Sequence, residues 1–399
     1  MPTLLLTHPA VQQFISENEK ADTAALMLRA SKFPEIPMAE AVEQIKSRAK
    51  AAKKLPEWYA TPGLIFPPSL SMEQCSSEAT AKFKANLVSG NTLADLTGGF
   101  GVDCYYLSKN FEQTFYVEQN QKLTQLASHN FKLLGAKTIA AEHKTATDFL
   151  KNISGKLSCI YLDPARRDAN QQKVFRLQDC EPNVVALLPG LLQKADRVLV
   201  KTAPVMDIDL AIAELKLVEK VWVISHNSEC REVLYLLSEN GNQNPEITAV
   251  DLQPTAGLVF SFYRADEKTA EAPLSAPLNF IYEPNPSVLK AGAFKSICDA
   301  YQVKKLHTSS HLYTSQNLRP HFPGRIFNLQ HVARLNKKEL RKLIPTGKAN
   351  ITTRNFPDSV DGIRKKSGLK EGGDTYIFGT TDLDNKPVLL ICNKVISEK

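Results

Sequence analysis

Two short segments carry residue types able to hold a small ligand and act on it. The first, Leu93-Ala94-Asp95-Leu96-Thr97-Gly98-Gly99-Phe100-Gly101-Val102-Asp103, runs from an apolar stretch into an acid, then a glycine-rich turn, then a helical pattern. Glycines let the backbone approach a ligand closely, and a helix start offers amide N–H groups. A second acid, Glu118, follows Asp95 by 23 residues at the end of Tyr116-Val117-Glu118, where a carboxylate accepts both hydroxyls of a ribose. The second segment ends an apolar run in Asp163-Pro164 and continues Ala165-Arg166-Arg167. There Asp163 is a candidate proton acceptor, and Arg166 and Arg167 are candidates for paired contacts to phosphate.

Such residues need a scaffold that gathers them, and the pattern from Thr92 onward provides one. Short apolar runs alternate with helical stretches, which predicts a parallel sheet with crossover helices. Strands are expected over 92–96, 114–118, 137–141, 158–162, 197–202 and 221–225, and a closing hairpin over 247–252 and 258–263. The run 230–237 reads equally as helix or strand. Asp95, Glu118 and Asp163 then fall at strand carboxyl ends, the edge where α/β sheets bind ligands.

The flanks differ in character. Residues 1–90 read as helical, with a Pro- and Gly-bearing linker over 55–70 laid across the next domain. The stretch 265–277 reads as a boundary, followed by one helix over 287–301 and a terminal hairpin over 375–379 and 387–393. The chain of 399 residues carries a net charge of +7, from 49 Lys and Arg against 42 Asp and Glu. Residues 331–373 hold eleven basic residues against four acidic ones, so the whole surplus lies in one stretch. A stretch of this kind suits a phosphate-backbone partner, and Arg364, Lys365 and Lys366 are its densest point. Hydrophobic residues at 43% and charged residues at 23% exclude a disordered or collagenous chain. Seven scattered cysteines without a Cys-x-x-Cys pair argue against a disulfide framework or zinc knuckle. No metal is expected, and no run is long enough to span a bilayer, so a cytoplasmic protein is the expectation.

The two motifs resemble those of class I S-adenosylmethionine-dependent methyltransferases, in which the first strand ends in an acid followed by a Gly-x-Gly turn. Gly99 and Gly101 match that turn, while Thr97 stands where the family has its first glycine. The resemblance implies a Rossmann-like α/β domain with a mostly parallel seven-stranded sheet. It implies S-adenosylmethionine as cofactor, held by Asp95, Thr97, Gly98, Gly99, Gly101 and Glu118, with Asp148 on the adenine side. It also implies Asp163 and Pro164 beside the transferable methyl group; Arg166 is the third catalytic candidate by its place after them, and Arg167 is a candidate for the substrate. A dinucleotide dehydrogenase is the rival; the Gly-x-Gly-x-x-Gly spacing is absent, and an acid before the loop would repel a pyrophosphate. Base N-methylases usually follow this motif with Pro-Pro-Tyr, and here Ala165 and Arg166 stand instead.

Segments 73–78, 95–103, 163–167 and 372–374 further resemble a bacterial methyltransferase family with a C-terminal THUMP-like domain, over nearly the whole chain. The expected division is a helical region over 1–90, a methyltransferase domain over 91–265, a small α+β unit of ferredoxin-like type over 278–323 and a basic THUMP-like domain over 324–399. THUMP domains bind RNA, so this resemblance implies an RNA substrate. Two other readings stand beside it: an inactive RNA-binding protein on the same fold, and a methyltransferase for a protein or small molecule. Lesser candidates are a substrate contact at 226–230, base stacking by Trp58 and Tyr59, and a nucleophilic Cys180 or Cys230.

Overall fold

The computed structural model describes residues 5–165, 176–253 and 258–395. It divides into two compact units, Met1–Glu219 with Leu234–Gln243, and Lys220–Val233 with Asn244–Lys399.

In the first unit, helices α1 (Pro9–Glu17), α2 (Thr23–Leu28), α3 (Met38–Lys54), α4 (Pro56–Ala60), α5 (Ser69–Gln74) and α6 (Glu78–Ala85) precede the sheet. The expected irregular linker contains α4, because Pro56 is tolerated at a first helical position where no N–H is needed. Beyond it the chain is extended and buried at Leu64, Ile65 and Phe66. Two amide side chains clamp this strip. Asn130 accepts from the Ile65 N–H at 3.0 Å and donates to its carbonyl at 2.8 Å, and Gln44 makes the same pair of bonds to Phe66. The backbone groups of Ile65 and Phe66 thereby find the partners that burial demands.

Strands β1 (Gly90–Asp95), β2 (Phe111–Glu118), β3 (Ile139–His143), β4 (Leu157–Leu162) and β5 (Ala195–Thr202) alternate with helices α7 (Val102–Ser108), α8 (Gln121–Leu133), α9 (Ala146–Asn152) and α10 (Val184–Lys194). They pair in parallel, β1 with β2 and β4, β2 with β3, and β4 with β5. Continuous apolar runs such as Cys159–Leu162 and Val198–Val200 are buried, as strands covered on both faces must be. Asn120, Thr145 and Asn183 cap α8, α9 and α10 by accepting N–H groups of the first turn.

Helix α11 (Ile208–Leu215) leads to β6 (Val218–His226), β7 (Glu229–Leu237), β8 (Glu246–Leu252) and β9 (Leu258–Tyr263). The sheet has nine strands in the order β3-β2-β1-β4-β5-β7-β6-β8-β9, and it is mixed, since β8 and β9 pair antiparallel. This corrects the expectation of seven strands: the hairpin hides Ile247, Ala249, Phe260 and Phe262, and joining the sheet removes them from water. The ambiguous run 230–237 is strand, because Asn227 and Ser228 both take positive φ and turn β6 straight back into β7.

In the second unit, after α12 (Arg264–Thr269), a seven-stranded sheet is built from β10 (Phe280–Pro284), β11 (Lys304–His307), β12 (Ser310–Ser315), β13 (Gly324–Ala333), β14 (Asn350–Thr353), β15 (Thr375–Thr381) and β16 (Pro387–Lys394). Its order is β11-β12-β10-β13-β16-β15-β14. The single helix expected over 287–301 is two, α13 (Pro286–Ala291) and α14 (Ser296–Tyr301). Gly292, at φ +76°, ends the first, and Glu267 accepts the N–H groups of Phe294, Lys295 and Ser296 to start the second. The two small units expected over 278–323 and 324–399 share this sheet, since Ile281 on β10 pairs with Phe327 on β13. Helices α15 (Lys337–Leu343) and α16 (Val360–Ser367) pack through Leu340 and Ile363 onto Ile377, Leu389 and Ile391.

Candidate functional site

Asp95 ends β1 and is 1% exposed. Its Oδ1 accepts the Thr97 N–H at 3.0 Å. Burial, joined by the nearby acids Asp103, Asp163 and Glu118, pushes its carboxyl well above the usual range. A cationic group arriving here would favour the charged form. Glu118, at the end of β2, accepts the Gly99 N–H at 2.9 Å and the Asn120 N–H at 2.7 Å. The neighbouring strand ends thus bring Asp95, the glycine loop and Glu118 together.

The loop itself differs from a phosphate cradle. The N–H groups of Thr97, Gly98, Gly99 and Gly101 go to Asp95, the Val117 carbonyl, Glu118 and the Gly98 carbonyl respectively. Four amides expected to face a ligand are satisfied inside the protein. What the glycines provide is shape: a Cβ on Gly98 would lie 2.3 Å from the Tyr116 ring, and one on Gly101, at φ +88°, would lie 2.6 Å from the Phe131 ring. Thr97, which departs from the family pattern, accepts the backbone N–H of Asp163 at 2.7 Å through its hydroxyl. It ties the first motif to the second. Asp148 is exposed and forms a capping pair with Thr145, its carboxylate accepting the Thr145 hydroxyl at 2.7 Å.

Asp163 follows β4, with its side chain 36% exposed, and Lys201 at the end of β5 places Nζ 2.6 Å from its Oδ2. Lys201 belongs to a buried network that sequence reasoning missed. Its ammonium also donates to Ser76 Oγ at 3.0 Å and lies 3.4 Å from Asp103 Oδ2. Lys84, on α6 and fully buried, lies 3.3 Å from Asp103 Oδ1 and donates to Ser76 Oγ at 3.2 Å. Asp103 Oδ2 accepts the Tyr161 and Ser76 hydroxyls at 2.7 and 2.8 Å. Burial works to raise the Asp103 carboxyl, but Lys84 and Lys201, aided by those hydroxyls, hold it below the ordinary range.

The N-terminal helices therefore take part in the site. The segment 73–78 divides its work: Ser77 caps α6 through the Thr80 N–H, and Ser76 binds the network. Trp58 is fully buried, edge-on to Phe100 and Tyr105 at 4.9 and 5.6 Å between centroids, so it packs against the glycine loop and α7 and stacks no base. The Tyr59 hydroxyl donates to Glu19. Cys180 is buried with its thiol on the Arg176 carbonyl, and burial pushes the Cys230 thiol up to about 12, so neither is a poised nucleophile. His226 closes β6, and burial lowers its pKa. Arg166 and Arg167 lie outside the described residues. Among the described residues no cluster of three or more His, Cys, Asp or Glu side chains is placed to hold a metal ion, and no helix is long and apolar enough to cross a membrane.

Seven of the eleven basic residues of the stretch lie on two helices. Lys337, Lys338, Arg341 and Lys342 line α15, all exposed, and Arg364, Lys365 and Lys366 lie on α16. Lys366 pairs with Asp358 at 2.7 Å and Arg364 with Glu371 at 3.7 Å, while Lys365 is exposed. Arg354 pairs with the buried Glu283, which also holds Arg325.

Family models match residues 280–323 as a ferredoxin-like domain and residues 324–394 as THUMP domain-like. The crystal structure of a candidate methyltransferase from Porphyromonas gingivalis W83 is 30% identical, with a TM-score of 0.86 over 97% of this chain and 98% of that one. The chain belongs to the class I methyltransferase family that ends in a THUMP-like domain. An rRNA methylase from Streptococcus thermophilus aligns over 40% of this chain and 93% of its own at 10% identity and a TM-score of 0.31. TrmK from M. capricolum in complex with S-adenosyl-homocysteine aligns over 44% and 71% at 15% identity and 0.32. Both likenesses are too slight to bear on this site. No curated protein sequence matches the chain.

Proposed function

We propose that the protein transfers a methyl group from S-adenosylmethionine to RNA. The observation that carries the donor assignment is the chemistry of the loop. Its amides at 97, 98, 99 and 101 are consumed internally and two carboxylates flank it, so it suits a ligand with a cationic end and no phosphate. Glu118 would accept the ribose hydroxyls through its remaining lone pairs, Asp95 would face the methionyl end, Gly99 and Gly101 would give the backbone room, and Asp148 would stand on the adenine side. When bound, the donor supplies an electrophilic methyl group. Asp163 and the Pro164 backbone would orient the acceptor, and Asp163 would take its proton. Arg166 and Arg167 follow this motif as candidates for the substrate's phosphate. The exposed bases of α15 and α16, with Arg364, Lys365 and Lys366, would supply the sequence-independent part of RNA affinity.

The test is incubation of the full chain with labelled donor and RNA from cells lacking it, followed by nucleoside mass spectrometry, with calorimetry of donor binding alongside. A labelled nucleoside is the expected result. Donor binding with no labelled RNA would leave an inactive RNA-binding protein, and label in protein or metabolite fractions would assign another substrate.

A further inference from the structure

Resting on the RNA methyltransferase reading above, we infer that the acceptor atom is a ribose hydroxyl oxygen, selected by the Asp163–Lys201 pair. RNA offers three kinds of acceptor, and each makes a different demand on the groups around it. A base carbon needs a thiolate or similar nucleophile to raise its electron density. The cysteines beside the site are Cys75, next to Ser76, Cys104 on α7 and Cys159 on β4, and burial pushes all three thiols up, Cys159 to about 12. None supplies a thiolate at neutral pH.

A base nitrogen attacks with its own lone pair and becomes positive before it sheds a proton. Its best neighbour is an acceptor oxygen with no cation close by, and its ring needs a flat surface to hold it. This site has the reverse. An ammonium lies 2.6 Å from the carboxylate at the reacting strand end, and like charge raises the energy of a developing cation. Among the described residues at this strand end, the position after Pro164 is Ala165, whose N–H and carbonyl bond to the Glu181 backbone at 2.8 and 3.1 Å and whose side chain is a methyl group rather than a ring.

A sugar hydroxyl needs both members of the pair. Its O–H is too weak an acid to ionise at neutral pH, so a base must take the proton as the oxygen attacks, and a fixed cation must stabilise the charge growing on oxygen. The Asp163 carboxylate is partly exposed, and an oxygen hydrogen-bonded to it lies in the field of Lys201. The ammonium is fixed in advance by Ser76 and Asp103, themselves braced by buried Lys84, so little reorganisation accompanies the reaction. In the step, a lone pair of the hydroxyl oxygen forms the bond to the methyl carbon while the carbon–sulfur bond breaks. The sulfur keeps that electron pair as a neutral thioether, and the hydroxyl proton passes to Asp163 and then to water.

The labelled nucleosides from the RNA incubation decide the point when fragmented at the glycosidic bond. Label travelling with the sugar is expected; label on the base overturns the inference while leaving RNA methylation standing; no labelled RNA removes both. A second measurement needs no donor. The full chain is titrated with an oligonucleotide spanning the mapped residue, and with the same oligonucleotide carrying one 2′-deoxy sugar there. Loss of the hydrogen bond to Asp163 should weaken binding about tenfold, and equal affinity overturns the contact. Finally, Lys201→Met should lower kcat a hundredfold or more, with partial recovery in Lys201→Arg. Parental turnover in Lys201→Met overturns the role of the pair, and should that variant not fold, the 2′-deoxy comparison still decides.

Discussion

The hydroxyl of Tyr116 donates to the carbonyl of Gly99 at 2.6 Å, while its ring fills the space a side chain at Gly98 would need. The ring is also held edge-on against Phe131 at 5.4 Å, so it has little room to yield. Gly98→Ala should therefore cost about 1 to 3 kcal/mol by overpacking and weaken donor binding by distorting the loop. Gly99→Ala, whose Cβ would meet only the Thr97 carbonyl oxygen at an ordinary 3.7 Å, should cost about 1 kcal/mol from the backbone strain of φ +53°. Thermal unfolding and donor titration of both variants check the order; Gly98→Ala behaving like Gly99→Ala would mean that the ring does not shape the loop.

Glu118 joins the loop to the second strand with both oxygens. Glu118→Ala should weaken S-adenosylmethionine binding at least tenfold, since each lost bond to a charged group is worth ~1.5 to 3 kcal/mol. Calorimetry on the folded variant measures this. Undiminished affinity would remove Glu118 from the donor site.

Asp103 neutralises two buried lysines. Asp103→Asn removes the carboxylate beside Lys84 and one of the two beside Lys201, which keeps Asp163, and should destabilise the protein by about 3 kcal/mol at pH 7. The sign of its pH dependence follows from the lowered pKa. The carboxylate's contribution is complete above its unfolded value near ~3.9 and is lost as pH falls through the folded value. The gap between parent and variant should thus narrow on acidification below about pH 4. Urea denaturation across that range tests it, and a gap that widens would contradict the assignment of the buried charge.

Donor affinity and RNA affinity should separate. Reversing Arg364, Lys365 and Lys366 is expected to leave donor binding nearly unchanged while flattening the dependence of RNA affinity on salt. On single-stranded RNA the slope falls by ~0.7 for each phosphate no longer neutralised, so about two units if all three side chains touch phosphate. Lys366 and Arg364 already have acidic partners, so a change nearer ~0.7 would point to Lys365 alone. Equal slopes in a salt titration would leave α16 a solvated face.

Local chemistry is what the chain announces by itself. An apolar run closed by Asp95 and a glycine turn, a second run closed by Glu118 and a third closed by Asp163 each declare a strand end through adjacent residues. Their order in the chain then places them on one sheet edge, because parallel strands with crossover helices leave no other arrangement. The helix over 287–301 failed for an equally local reason: the periodicity continues past Gly292, while its left-handed backbone stops the helix.

The charged heart of the site was decided only in three dimensions. Lys84 lies near the end of α6, Lys201 near the end of β5, Ser76 just before α6 and Asp103 in the first turn of α7. Ser76 and Asp103 fall within segments that the motifs single out, but nothing in the sequence joins them to Lys84 or Lys201, because a lysine's periodicity says that it is polar and not which carboxylate will meet it. Their pairing depends on α6 packing against α7 and on β5 lying beside β4. Burial then makes the pairing obligatory, since an unpaired ammonium in that interior would cost several kcal/mol.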